Sequence, residues 1–328
     1  MAILGAVLAT GMAFALSRGA GVAATDLEIH SARGYAAAAP ENTLASLKLS
    51  RAAGVATSWV DIRTTADGVL VLLADETLDR TTDCTGPVAS ATAATVAACD
   101  AGSWFHPSYA AEGVPTLAEA LAVPGGAYVL DLRDAEPAAV VDAIVAAGAE
   151  DRVAVSAADA TTVAAVEAAA PQMMTWLHVV LLDVRAVAAA TTAGADGIAA
   201  PARNMSGGPV AAARRAGLAV AALAPGGEGR LYDMVAMGVD VVVTPRLKAA
   251  QWALGATYRT YGGPEFSRAN EPGSDFPAAL AVGDFNNDGR ADLALGAPAD
   301  TSGGRDAGWL GVTFGGDQFP NQVFSDAG

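Results

Sequence analysis

Eight times between residues 27 and 250 the chain passes from a short apolar, often β-branched run into a longer alanine-rich segment. The short runs are LEIHSA (27–32), SWVDIRT (58–64), AYVLDLR (127–133), RVAVS (152–156), MTWLH (174–178), DGIAA (196–200), LAVAAL (218–223) and DVVVT (240–244). Runs that are apolar on both faces suit strands buried from both sides, as in parallel sheets covered by helices. Helices are predicted to begin near Glu41, Thr116, Glu136, Asp159, Asp183, Gly208, Glu228 and Arg246. Eight strand-helix units over that length predict an α/β chain folded as a (β/α)8 TIM barrel over residues 25–254, with its site at the C-terminal ends of the strands. The alternative is a doubly wound open sheet.

Three segments fall outside that repeat. Residues 2–16, AILGAVLATGMAFAL, are uncharged and apolar but short for a membrane span, and small residues follow up to Val22-Ala23-Ala24. We read residues 1–24 as a secretory signal peptide and expect the mature protein to be secreted; the alternative is a single membrane anchor. Residues 67–115 interrupt the repeat after the second strand, with an Asp67-Gly68 hairpin turn and both cysteines, Cys84 and Cys99. An even pair in an exported chain predicts a disulfide, which would close a loop of about 16 residues and contribute about 3 kcal/mol. Residues 255–278 are rich in Gly, Pro and Ser and read as a linker.

The formal charge is −16, and removal of residues 1–24 takes away one cation, Arg18, giving −17. Clustered Lys and Arg are what hold a phosphate backbone, so this balance excludes nucleic acid as a partner and suits divalent cations.

Specific motifs lie on the barrel frame. ARG…APENTLAS (32–46), VDIRTTADGVLVLLADETLDRTTDCTGPV (60–88), GVPTLAEAL (113–121), YVLDLR (128–133) and GVDVVVTPR (238–246) follow one another in order. Together they resemble the glycerophosphodiester phosphodiesterase family. The resemblance implies metal-assisted hydrolysis of glycerophosphodiesters to glycerol 3-phosphate and an alcohol. Such chemistry needs a general acid, a general base and neutralisation of the phosphate charge. The family supplies a His before Arg-Gly, a His before Asp in the hairpin, carboxylates that hold a divalent cation, and an Arg for phosphate.

Carried over by position, most of that set is replaced. The two histidine positions are Ala32 and Ala74; Glu-x-Asp becomes Trp59-Val60-Asp61, and Glu-x-Lys becomes Asp131-Leu132-Arg133. The family's later Trp falls near Ala222, and an Asp after the last strand is Pro245. Loss of a positioned acid or base costs about 10²- to 10⁴-fold each, so the resemblance implies a degenerate active site. What remains are Arg33 and His178 as candidate catalytic groups, Arg33 and Arg133 for a phosphate or carboxylate ligand, and Asp61 and Asp131 as a weak metal set. The two arginines could equally pair with Asp61, Asp75 or Asp131. His30 and His106 read as packed and surface residues. Pro40-Glu41-Asn42-Thr43 reads as a helix start, a matter of fold rather than chemistry.

The tail from 279 to 328 is different in kind. DFNNDGRAD (284–292), preceded by AALAVGD and followed by LALGAP and GWLGVTFGG, resembles an FG-GAP repeat of the integrin-type propeller. Oxygen ligands recur at Asp284, Asn286, Asp288 and Asp292, with Arg290 contributing a backbone carbonyl, around a turn at Gly289; this spacing predicts a Ca²⁺ loop. Leu295 stands where an EF-hand would place its bidentate Glu. The resemblance implies an all-β blade with a cell-surface or protein partner. One blade cannot bury its faces alone, so we expect either a longer parent protein or a fragment.

Overall fold

The computed structural model describes residues 27–251, apart from 111, 225 and 226, and four strands between 279 and 325. The proposed signal peptide and linker lie outside the described residues. The chain divides into two compact units, Met1–Gly255 and Ala256–Gly328.

In the first unit eight parallel strands close on themselves. They are β1 (Glu28–Ala32), β2 (Thr57–Thr64), β4 (Ala127–Leu132), β5 (Val153–Ala157), β6 (Thr175–His178), β7 (Gly197–Pro201), β8 (Ala219–Leu223) and β9 (Val241–Thr244). The order β1-β9-β8-β7-β6-β5-β4-β2 is sealed by pairing of β1 with β2, Ala32 opposite Trp59. Closure rules out the open sheet. A short β3 (Leu70–Leu72) returns antiparallel along β2, Ile62 opposite Leu72, through the Asp67-Gly68 turn, where Gly68 has φ +81°.

Helices α1 (Leu44–Ala52), α3 (Leu117–Leu121), α4 (Pro137–Ala146), α5 (Ala160–Ala169), α6 (Val184–Ala193), α7 (Gly207–Arg215) and α8 (Gly227–Met237) wrap the barrel, and a last helix starts at Leu247. The short α2 (Ala93–Ala97) belongs to the insertion. Side chains chosen for their short hydrogen-bonding reach set the starts: Thr43, Thr116, Asp159 and Asp183 each accept a backbone N–H from the first turn. Thr43 and Ser46 form a reciprocal capping box, so α1 begins three residues later than Glu41, after Asn42 has turned the chain at φ +56°.

Two apolar layers result. Outward-facing strand residues such as Ile62, Leu130, Val155, Ile198 and Val220 pack against the helices. The inward layer contains Trp59, Val129, Ala154, Trp176, Ala199, Ala221, Val241 and Val243. Alanines on β5, β7 and β8 leave the width that two indoles fill; Trp59 and Trp176 meet edge to face at 5.6 Å. The insertion has its own small core around Leu78, Val88 and Val96, and Cys84–Cys99 is a disulfide with S–S 2.05 Å. Among the described residues no helix is long and apolar enough to cross a membrane.

The second unit is a four-stranded antiparallel sheet in the order β10 (Ala279–Gly283), β11 (Asp292–Ala297), β12 (Trp309–Thr313) and β13 (Gln322–Ser325), the all-β blade expected. Gly283 pairs with Asp292. Asp284, Asn286, Asp288 and Arg290 lie outside the described residues.

Candidate functional site

The strand alternation decides which side chains meet at the barrel mouth. On β2, Trp59 and Asp61 face inward; on β4, Val129 and Asp131 do; on β6, Trp176 and His178 do. Asp61 lies directly opposite Asp131 in the ladder. The mouth is therefore acidic on β2 and β4, and indole fills the layer beneath.

Arginines cover those acids. Arg33, just past β1, reaches Asp61 Oδ2 with Nε at 2.9 Å and Glu41 Oε1 with Nη1 at 2.9 Å. Arg133, just past β4, donates to Asp61 Oδ1 from Nε at 2.8 Å and Nη2 at 2.5 Å, and its Nη2 lies 2.9 Å from Asp131 Oδ2. Asn42 Nδ2 donates to Asp61 Oδ2 at 2.9 Å, and its own carbonyl accepts the Asp61 backbone N–H at 3.3 Å. Burial alone, the largest influence, would push the Asp61 carboxyl up; Arg33, Arg133 and Asn42 together outweigh it and leave the group below its ordinary value.

The pairing continues on both sides. Arg80, from the insertion, bridges Glu41 Oε1 at 2.6 Å and Asp75. Its hydrogen bond is the main reason that the Asp75 carboxyl lies low. On the other flank His178 Nδ1 lies 3.2 Å from Asp131 Oδ2. Charges thus alternate along one line: Asp75, Arg80, Glu41, Arg33, Asp61, Arg133, Asp131, His178. With His178 neutral, three guanidiniums face four carboxylates, a net charge of −1.

The loop after β1 is shaped for this. Arg33 and Gly34 both sit in the left-handed region, at φ +56° and +74°, and a Cβ on Gly34 would run into Ser46. Ser46 Oγ in turn donates to the Arg33 carbonyl at 3.1 Å. Two strained residues in this turn, Arg33 and Asn42, hold Asp61 together with Arg133.

Several sequence expectations change here. Glu41 and Asn42 are part of the mouth as well as of the helix start, so the reading of that motif as fold alone is corrected. Arg33 and Arg133 do pair internally, with Asp61 and Asp131; Asp75 is instead taken by Arg80, which the sequence reading passed over. Trp59 points into the barrel, where its Nε1 donates to His30 Nδ1 at 3.0 Å, and His30 Nε2 is 3.0 Å from Glu28. His106 is exposed. Ala32 lies at the rim of the inward layer, and the Ala74 carbonyl accepts two hydrogen bonds from Arg63, at 3.2 and 2.9 Å.

A divalent cation of the family type needs several oxygen ligands. Both Asp61 oxygens are occupied, Asp131 Oδ2 is shared with Arg133 and His178, and of these four oxygens Asp131 Oδ1 alone is buried without a partner among the described residues. That donor set does not fit the metal. Among the described residues the one group of three candidate metal ligands is Asp83, Cys84 and Cys99, and its sulfurs are joined in the disulfide.

Comparison with known proteins agrees with the motifs. Residues 33–249 match the model of the glycerophosphoryl diester phosphodiesterase family, and residues 276–308 match the FG-GAP repeat. A glycerophosphodiester phosphodiesterase of Caldanaerobacter subterraneus is 39% identical over 93 residues, which is 28% of this chain and 38% of that protein. The alignment thus spans well under half of that relative. A glycerophosphodiester phosphodiesterase from Agrobacterium tumefaciens superposes with a TM-score of 0.61 at 28% identity, covering 68% of this chain and 99% of the other. An Oleispira antarctica phosphodiesterase, solved with sn-glycerol-3-phosphate, gives 0.67 at 26% identity, covering 70% and 96%. With an FG-GAP repeat following its barrel, the chain belongs to the glycerophosphoryl diester phosphodiesterase family.

Proposed function

We propose that this family member is a non-catalytic binding protein, which holds a glycerophosphodiester or a similar small phosphate or carboxylate at the barrel mouth. The observation that carries this reading is the Asp61 carboxylate clamped between Arg33 and Arg133, with alanine at both histidine positions. Without an acid and base at 32 and 74, several orders of magnitude of rate are lost. The arginines keep binding capacity: 36% of the Arg33 side chain and 29% of Arg133 are exposed. The test is release of glycerol 3-phosphate from glycerophosphocholine with Ca²⁺, Mg²⁺, Mn²⁺ or Zn²⁺. We expect none above the blank; turnover that disappears in Arg33→Ala overturns the proposal.

A second reading, an active phosphoric diester hydrolase with a rearranged site, is favoured by the His178–Asp131 pair, since a carboxylate on one imidazole nitrogen orients the other for proton transfer. Loss of any measured turnover in His178→Ala supports it, and an unchanged rate rejects it. We further propose that the protein acts outside the cell, and that its tail binds Ca²⁺ and meets a cell-surface or protein partner.

A further inference from the structure

Five side-chain polar atoms among the described residues are buried without a hydrogen-bond partner, and three of them share one layer of the barrel interior: Asp131 Oδ1, Ser156 Oγ and Trp176 Nε1. The ladder sets them side by side, Asp131 on β4 opposite Ser156 on β5, and Ser156 opposite Trp176 on β6. Residues paired across parallel strands point to the same face, so all three side chains enter the interior. They are 6%, 0% and 3% exposed. Buried polar groups left unpaired are rare in folded proteins, and three on neighbouring strands call for a common partner. Their orientation agrees. Arg133 Nη2 at 2.9 Å and His178 Nδ1 at 3.2 Å both meet Asp131 Oδ2, which leaves Oδ1 unclaimed. The Trp176 ring leans over β7, because a Cβ on its ladder partner Gly197 would run into Cε3, Cζ3 and Cδ2 of the indole. The opposite edge carries Nε1 and so faces away from β7; the next strand on that side is β5, with Ser156. Ser156 is the smallest of the three and stands between the two larger ones, which leaves width at that point.

The chemistry of the three atoms selects the occupant. A carboxylate oxygen only accepts, an indole N–H only donates, and a hydroxyl does either. A metal ion gives Trp176 nothing to donate to. An anion gives Asp131 no proton and is repelled by it. Only a small neutral molecule that both donates and accepts satisfies all three. Strands about 4.8 Å apart place the Asp131 and Trp176 backbones about 10 Å from each other, whereas one water joins partners separated by about 6 Å. We propose that a single water molecule is bound inside the barrel between Asp131, Ser156 and Trp176, accepting from the indole N–H, donating to Asp131 Oδ1 and sharing its third hydrogen bond with the Ser156 hydroxyl. Three such bonds are the usual complement of a buried water. The site stands whether or not the mouth takes a ligand. It backs from within the carboxylate that Arg133 and His178 hold from outside.

High-resolution crystallography of the full chain tests this, with a Mn²⁺ soak read by anomalous scattering and the same measurements on a Ser156→Ala/Trp176→Phe variant. In the parent we expect one density peak about 2.7–3.2 Å from all three atoms and no anomalous signal there. The variant keeps Asp131 Oδ1 alone, and a buried water needs two to four polar partners, so the peak should disappear. Magnetic relaxation dispersion of the water signal, which counts long-lived internal waters in solution, should find one fewer in the variant than in the parent. The parent crystal decides the matter even where the variant does not fold. No peak at this point, or a direct hydrogen bond from Trp176 Nε1 to Ser156 Oγ, overturns the proposal. An anomalous peak overturns it in favour of a cation. A water that persists unchanged in the folded variant overturns the assignment of Ser156 and Trp176 as its holders, and so does an equal count of internal waters in the two proteins.

Discussion

Asp61→Asn separates the internal role of the mouth arginines from their role toward a ligand. The substitution keeps the shape and removes one charge, taking the three-guanidinium, four-carboxylate line from −1 to neutral. Breaking a buried ion pair by removing one partner costs about 3–5 kcal/mol. Here each arginine keeps a second carboxylate, Glu41 for Arg33 and Asp131 for Arg133, and part of each side chain is in water, so we expect about 2 kcal/mol. With a urea dependence of about 2 kcal/mol per M, the unfolding midpoint should fall by about 1 M. Because Asp61 is held below its ordinary value of 3.8, its contribution is fully present above that pH and is lost as pH falls through the folded-state value. The difference between parent and variant should therefore shrink below about pH 3.8. At neutral pH the released guanidiniums should bind inorganic phosphate about tenfold more tightly, read from tryptophan fluorescence. A midpoint shift under about 0.2 M together with unchanged phosphate affinity would refute the account of Asp61 as the hub.

Trp59→Ala should cost about 3–5 kcal/mol in urea unfolding, through lost packing on Trp176 and the loss of the donor to His30 Nδ1; a cost under about 1 kcal/mol would contradict the indole's place in the interior. Replacing Cys84 and Cys99 together by Ser should lower stability by about 3 kcal/mol, and equal melting of the two proteins would show that the insertion contributes nothing to the global transition. For the tail, calorimetry should detect Ca²⁺ binding that weakens in Asp288→Ala, and identical isotherms would reject the loop as the site.

The barrel was legible because its strands are buried on both faces, and such runs, alternating with alanine-rich segments, leave few folds open. The helix starts were legible to within three residues, since Thr43, Thr116, Asp159 and Asp183 are short side chains before apolar runs. The site was legible only where a motif pointed at it. Arg80 and Glu41 are 39 residues apart, and nothing in local pattern joins them; their contact depends on the insertion folding back over the first loop. Asn42 was visible as part of a helix start, but its reach to Asp61 depends on the left-handed backbone at Arg33 and Asn42 itself. The family pattern put Trp59 at a carboxylate position of the site, yet the partner of its N–H, His30, follows from the closure of β1 on β2.

That indole also bears on the paths open to this sequence in future. A carboxylate at position 59 would enter an interior lined by Trp176 and valines, leave His30 without its donor, and face a burial cost before any cation could repay it. Histidine at 32 or 74 would gain little until that carboxylate existed, and the carboxylate would be unstable until Trp176 or its neighbours had changed. On the non-catalytic reading proposed above, each single step toward hydrolysis is thus downhill in stability with no return in rate. On that reading the filled barrel acts as a ratchet, since the indole must leave before a metal-binding carboxylate can enter.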